Sequence, residues 1–132
     1  MIKSKKPSKQ RKFLYQAPLH IRHKLLSAHL SKELRKEWNR RSLSLRKGDE
    51  VKVMKGKFKG TKGKISRIDL KELKIYIENV KRRKVSGEEV HVPIRPSNLL
   101  ILNPDLRDSK RKKILQRSKG EKIGEIKKTS SA

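Results

Sequence analysis

The sequence predicts a mostly β fold, a small five-stranded barrel with helices before it, a basic arm at its N-terminal side and a basic helix or tail at its C-terminal side. Three observations predict it. From Leu43 to Leu102 apolar residues recur with a period of two, in short runs parted by Gly, Pro, Asn and charged residues. Within that region, residues 48–65, GDEVKVMKGKFKGTKGKI, interrupt an apolar strand with a connection rich in glycine and lysine. The 132 residues include only 32% hydrophobic and 4% aromatic side chains, enough for one small core with extensions and not for one compact body of that length.

Residues 1–16 read as a basic arm. Lys3, Lys5, Lys6, Lys9, Arg11 and Lys12 fall in it without an acid, and the first carboxylate of the chain is Glu33. Phe13, Leu14 and Tyr15 are too little apolar surface to offset an ordering cost of roughly 1–2 kcal/mol per residue, so the arm should order on a polyanion and not alone. Residues 17–42 read as a helical segment. Pro18 suits a first helical position, and Ile21, Leu25 and Ala28 recur at helical spacing, which predicts a helix to about His29. Ser31 then caps a second helix that carries Glu33 in its first turn, lines Leu30, Leu34 and Trp38 on one side and ends near Asn39. Arg40 and Arg41 add positive charge behind it.

The barrel is placed over 43–104, with strands at Glu50–Met54, Lys64–Asp69, Leu73–Val80, Glu89–Ile94 and Leu99–Leu102. Leu73, Ile75 and Ile77 share one face of their strand, as do Val90, Val92 and Ile94 of theirs. Five strands with one apolar face each can close and so satisfy their edges, and no crossover helix is available for a parallel sheet. Residues 105–132 complete the chain: a basic helix over Asp105–Arg117 with Asp108 as a cap, then a tail in which Gly120, Gly124 and Ser130-Ser131-Ala132 predict mobility.

The charge defines the partner class. With 39 Lys+Arg against 13 Asp+Glu the formal net charge is +26, a field that attracts nucleic acid and exceeds what solubility asks for. Lys55, Lys57, Lys59, Lys62 and Lys64 crowd the loop of Gly56, Gly60 and Gly63, and would repel one another without an anion nearby. A nucleotide-hydrolysing P-loop is excluded, because the GxxxxGK[ST] spacing fails and a strand, not a helix, follows at Ile65. Phe58 either stacks on an unpaired base or folds back to plug the barrel end. Lys81, Arg82, Arg83 and Lys84 form a second cluster on a loop between strands; a localisation signal or a solvated turn stays open, and the already basic surface favours nucleic-acid contact. His20, His23 and His29 lack a carboxylate or thiolate to complete a metal shell, so His20 and His23, beside Arg22 and Lys24, are assigned to RNA phosphates or sugars, with no metal and no cofactor. Asp49-Glu50 and Glu88-Glu89 are adjacent pairs on strands, facing opposite ways, and support no catalysis. The absence of cysteine excludes disulfides and thiolate metal sites, and no apolar run approaches the roughly 20 residues of a membrane span.

These residues resemble a known family. Gly48, Val51, Val53, Gly56, Lys59, Gly60, Gly63 and Ile65 fill the KOW pattern, which ribosomal proteins share with transcription elongation factors. Arg11, Ala17-Pro18-Leu19-His20, Arg22-His23-Lys24, Leu30-Ser31, Leu34-Arg35, Gly87-Glu88-Glu89-Val90 and Pro96-Ser97-Asn98-Leu99 are similar to the archaeal and eukaryotic form of universal large-subunit ribosomal protein twenty-four. That resemblance covers roughly residues 10–105. It implies an SH3-like barrel in the cytoplasmic large subunit, bound to large-subunit rRNA near the polypeptide exit tunnel and contributing early in assembly. It also implies neighbouring ribosomal proteins and exit-tunnel factors as partners, with no membrane and no independent homo-oligomer. The predicted rRNA-binding set adds Arg40, Arg41, Arg95 and Ser97 to the cations above. Two other classes stay open, a KOW adaptor of transcription elongation, for which the first 47 residues supply no α/β module, and a free architectural DNA-binding protein.

Overall fold

The computed structural model describes residues 2–118; the predicted tail with Gly120, Gly124 and Ser130-Ser131-Ala132 lies outside them. A β-rich fold with helices is what they form. Pro7–Gln16 (α1) and Leu19–Leu25 (α2) lead into Ser27–Leu30 (β1), Lys32–Trp38 (α3) and Ser42–Ser44 (β2). Glu50–Val53 (β3), Lys62–Asp69 (β4), Lys74–Ile77 (β5), Lys81–Arg83 (β6), Glu89–His91 (β7) and Leu99–Asn103 (β8) follow, and residues 109–118 form a last helix, α4.

Six strands make one sheet in the order β2-β1-β8-β3-β4-β5, while β6 and β7 form a separate hairpin. The main sheet is an open hydrogen-bonded ladder, not a closed ring of five. Its neighbours are antiparallel except β1 and β8, which pair in parallel through His29–Leu100 and Leu30–Ile101. That pair was not foreseen, because its connection is the whole intervening set of strands and not a crossover helix. Bulges at Glu50/Val51 and between Ile65 and Arg67 add local twist to β3 and β4. On β5, Ile75 exchanges both backbone bonds with Ile94, outside the named strands, at 2.9 and 2.8 Å.

Val51, Val53, Ile65, Ile75, Ile77, Leu99 and Ile101 fill the core, the inward positions that the period of two picks out, together with Leu30 from the segment read as helical. Trp38 joins them from α3, and Ser31 Oγ accepts from the Leu34 N–H at 3.4 Å at the start of that helix. Both were read from the sequence. The helix predicted to run to His29 stops at Leu25 instead. Ala28 and Leu30 are buried as alternate strand residues, and pairing with β2 and β8 overrides the helical spacing. Residues 7–16 are helical where an arm without its own structure was expected, although α1 buries none of its side chains. Pro7 at its start has no amide to leave unpaired.

Gly63 shows how closely the strands pack. A Cβ there would lie 2.8 Å from Ile77 Cγ2 and 3.2 Å from Asn79 Nδ2. Gly63→Ala should therefore cost about 1–3 kcal/mol as an overpacked site. Urea unfolding should show the loss as a lower midpoint at unchanged slope.

α4 is held by an ion pair that the sequence reading missed. Arg111, 2% exposed, forks onto Asp49, 0% exposed: Nη1 donates to Oδ1 at 2.5 Å and Nη2 to Oδ2 at 2.7 Å. The same guanidinium donates to the carbonyls of Asp105 and Ser44 at 2.8 and 3.0 Å. Asp49 in turn accepts the amides of Arg46 and Asp105 at 2.8 and 2.9 Å. Asp108 caps α4 as expected, accepting the Lys110 amide at 2.9 Å, and pairs with the Arg46 guanidinium. That amide, then the guanidinium, holds the Asp108 carboxyl below its ordinary range.

Candidate nucleic-acid interface

Backbone bonds bring the two densest basic segments together. Gly60 N–H donates to the Val53 carbonyl at 2.8 Å and closes the β3–β4 loop, in which Gly56 and Gly60 take φ of 99° and 90°, values that a Cβ opposes. Lys55, Lys57 and Lys59 stand exposed on that loop, and Lys62 and Lys64 follow on β4. The Lys62 carbonyl accepts Asn79 Nδ2 at 2.8 Å, and the Lys64 carbonyl accepts the Glu78 N–H at 3.1 Å. Glu78 and Asn79 run directly toward β6. Lys62 and Lys64, at the base of the 55–64 cluster, therefore lie beside the segment that leads into the exposed Lys81, Arg82, Arg83 and Lys84.

A third group joins them at the loop entrance. Met54 N–H donates to the Asn98 carbonyl at 2.8 Å, which ties the start of the loop to the turn Pro96–Asn98. Arg95 and Ser97 are exposed there. Glu89 and Glu88 engage Lys81 at 3.3 Å and Lys84 at 3.6 Å, both exposed pairs that are screened by salt. Lys55, Lys57, Lys59, Lys62, Lys64, Arg82, Arg83 and Arg95 have no acidic partner among the described residues. Such a surface concentrates positive potential where an anion can approach.

The cluster predicted as a plain loop is in part a strand. Lys81, Arg82 and Arg83 pair with His91, Val90 and Glu89, so the basic run is carried on a hairpin whose described side chains from 81 to 90 are all exposed. Composition hid this, since a run of cations lacks the apolar alternation that marks a strand.

The arm supplies another face. Lys3, Lys5 and Lys6 precede α1, and Lys9, Arg11 and Lys12 lie exposed on it; His20, His23, Lys24 and Arg41 are exposed beyond. Three predicted residues are placed differently. Arg22 turns its guanidinium inward: Nε donates to the Ala17 carbonyl at 2.8 Å, Nη1 to that of Lys71 at 2.6 Å, and Nη2 to that of Tyr15. It clamps the end of α1 to the β4–β5 turn and has no fork left for a phosphate. Phe58 is half-buried and packs against the core, so its ring is not a free stacking face. Arg40 gives Nε to the Ser42 carbonyl at 3.0 Å and is half-buried.

Asp49 and Arg111 were not legible in the sequence as one buried unit. One signal existed, since Arg111 and Leu115 are four apart and share the helix face that is buried.

Residues 4–118 match the family described as the ribosomal proteins L26 of eukaryotes and their archaeal counterparts of number twenty-four. The large ribosomal subunit protein uL24 of Korarchaeum cryptofilum is 49% identical over 125 residues, covering 95% of this chain and 95% of that one. Its counterpart of the same name from Methanosphaera stadtmanae is 46% identical over 114 residues, covering 86% and 97%.

Proposed function

Because the chain belongs to the family of the eukaryotic L26 ribosomal proteins and their archaeal counterparts, a structural and non-enzymatic class of the cytoplasmic large ribosomal subunit, we propose that it acts by binding large-subunit rRNA and helps to initiate subunit assembly. The observation that carries this is the set of unpaired cations that the β3–β4 loop, the β6–β7 hairpin and the 95–98 turn hold side by side. Phosphates supply the affinity, and shape supplies the selectivity, because the A-form major groove is too narrow for side chains to read.

Within this reading the bulged sheet is an SH3-like barrel, with the Ile75–Ile94 exchange bending its far edge back, and the chain divides into an arm (1–16), a helical segment (17–42), the barrel (43–104) and a basic helix with its tail (105–132). The contact set is the predicted one with Arg22, Arg40 and Phe58 in supporting roles. Gly48, Gly56, Gly60 and Gly63 shape the loop that carries the lysines. The site would lie near the polypeptide exit tunnel, beside neighbouring ribosomal proteins and within reach of exit-tunnel factors.

Binding of the full chain to large-subunit rRNA fragments tests the proposal. Complexes should be lost with RNase and kept with DNase; the reverse would overturn it. Changing Lys3, Lys5, Lys6, Lys9, Arg11 and Lys12 together to Gln should weaken binding and lower the slope of log K against log salt by roughly 0.7–0.9 for each phosphate given up. The same variant should unfold at the wild-type urea concentration, since α1 buries no side chain. An unchanged slope would show that the arm touches no phosphate.

A further inference from the structure

Among the grooves of the described residues, one beside α1 differs in chemistry from the cationic loops. Leu14 and Tyr15 of α1, with Leu25, Leu73 and Pro96, line a space of about 440 Å³. That lies within the ~300–1,000 Å³ range of ligand sites. Tyr15 is 66% exposed, an unusual position for an aromatic residue in a chain that has so few. Its backbone is nevertheless fixed: Arg22 bonds the carbonyls of Tyr15, Ala17 and Lys71, and so holds α1 at a set distance from the β4–β5 turn. The turn is fixed as well, because Asp69 Oδ1 accepts the amides of Lys71 and Glu72 at 2.9 and 3.2 Å. An exposed ring on an anchored backbone is a preorganised face.

The charge of the rim selects the occupant. Arg95 and Lys71 stand at the groove without an acidic partner, whereas the carboxylate of Glu72 is matched by Lys74 Nζ at 2.6 Å. An apolar slot with a free aromatic face and a net positive rim fits an unstacked nucleotide, its base on the ring and its phosphates on the cations. An apolar protein segment would gain nothing from that rim. Resting on the rRNA-binding reading above, we propose that this groove receives an unpaired rRNA nucleotide, with Tyr15 as the stacking platform and Arg22 as the residue that positions it.

The test uses the full chain, a single-stranded oligo(U) carrying 5-bromouridine and an RNA duplex of equal length. Tyr15→Leu should weaken oligo(U) binding roughly 5- to 150-fold, the range of one base–aromatic stack. It should leave the salt slope and the duplex affinity unchanged, because no charge is removed and Arg22 still has its carbonyls. Tyr15→Phe should bind as wild type, and irradiation of the wild-type complex should crosslink uridine to Tyr15. Equal affinity of Tyr15→Leu and wild type for oligo(U), or an equal loss on the duplex, would overturn the stacking site; if Tyr15→Leu instead lost only assembly with ribosomal proteins, the groove would be a protein contact and the proposal would be wrong. Failure of the wild type to bind either RNA in a salt-dependent way would overturn the underlying function, so the two failures are distinguishable.

Discussion

Asp49→Ala should destabilise the fold by about 3–5 kcal/mol, the cost of leaving one partner of a buried ion pair alone. The site explains why the effect should be so large. Arg111, 2% exposed, would keep its charge and lose both forked bonds, and the amides of Arg46 and Asp105 would lose their acceptor as well. Against a total stability of about 5–15 kcal/mol for a typical domain, that is a major fraction. Arg111→Met should cost less than Asp49→Ala, because Asp49 then retains two backbone donors. Adding Arg111→Met to Asp49→Ala should restore part of the loss by removing the stranded charge, but not all of it, since the two amides stay unsatisfied. Urea denaturation of the four proteins measures the cycle. A loss below about 1 kcal/mol for Asp49→Ala would mean that water reaches the site and replaces the carboxylate.

That pair also marks the boundary of what the sequence reveals. Local patterns were legible: the alternation of Val51 and Val53 or Ile75 and Ile77, the cap at Ser31 and the apolar side of Trp38 each depend on near neighbours. Features set by distant partners were not. Ser27–Leu30 carries a helical spacing continued from Ile21 and Leu25, and becomes a strand only because β2 and β8 take its backbone groups. Arg22 and Arg111 read like any other cation in a chain of 39, yet their guanidinium groups bond backbone carbonyls or a buried carboxylate. Charge composition predicts that a surface is basic; it does not say which cations the fold has already used. Phe58 shows the same limit for an apolar residue, because a loop rich in lysine leaves its one ring free to stack on a base or to fold back, and only the packing against the core selects the second.

The affinity for large-subunit rRNA should fall by roughly 10³–10⁵ between 50 and 200 mM salt, the behaviour of a protein that neutralises about six to ten phosphates. Exposed cations without acidic partners on the β3–β4 loop, the hairpin and the 95–98 turn are enough for a footprint of that size. Their placement makes a finer prediction. The Lys62 and Lys64 carbonyls are bonded by Asn79 and Glu78, just ahead of the hairpin, so the two clusters can share phosphates. Changing Lys55, Lys57 and Lys59 to Gln should lower the salt slope by up to about 2–3, and the same treatment of Lys81, Arg82, Arg83 and Lys84 by a comparable amount. Combined, the two sets should lose less than the sum of their separate effects, because a phosphate held from both sides is released only once. Strict additivity would mean that the clusters meet different RNA segments despite lying together, and a salt-independent affinity would sink the electrostatic mechanism altogether.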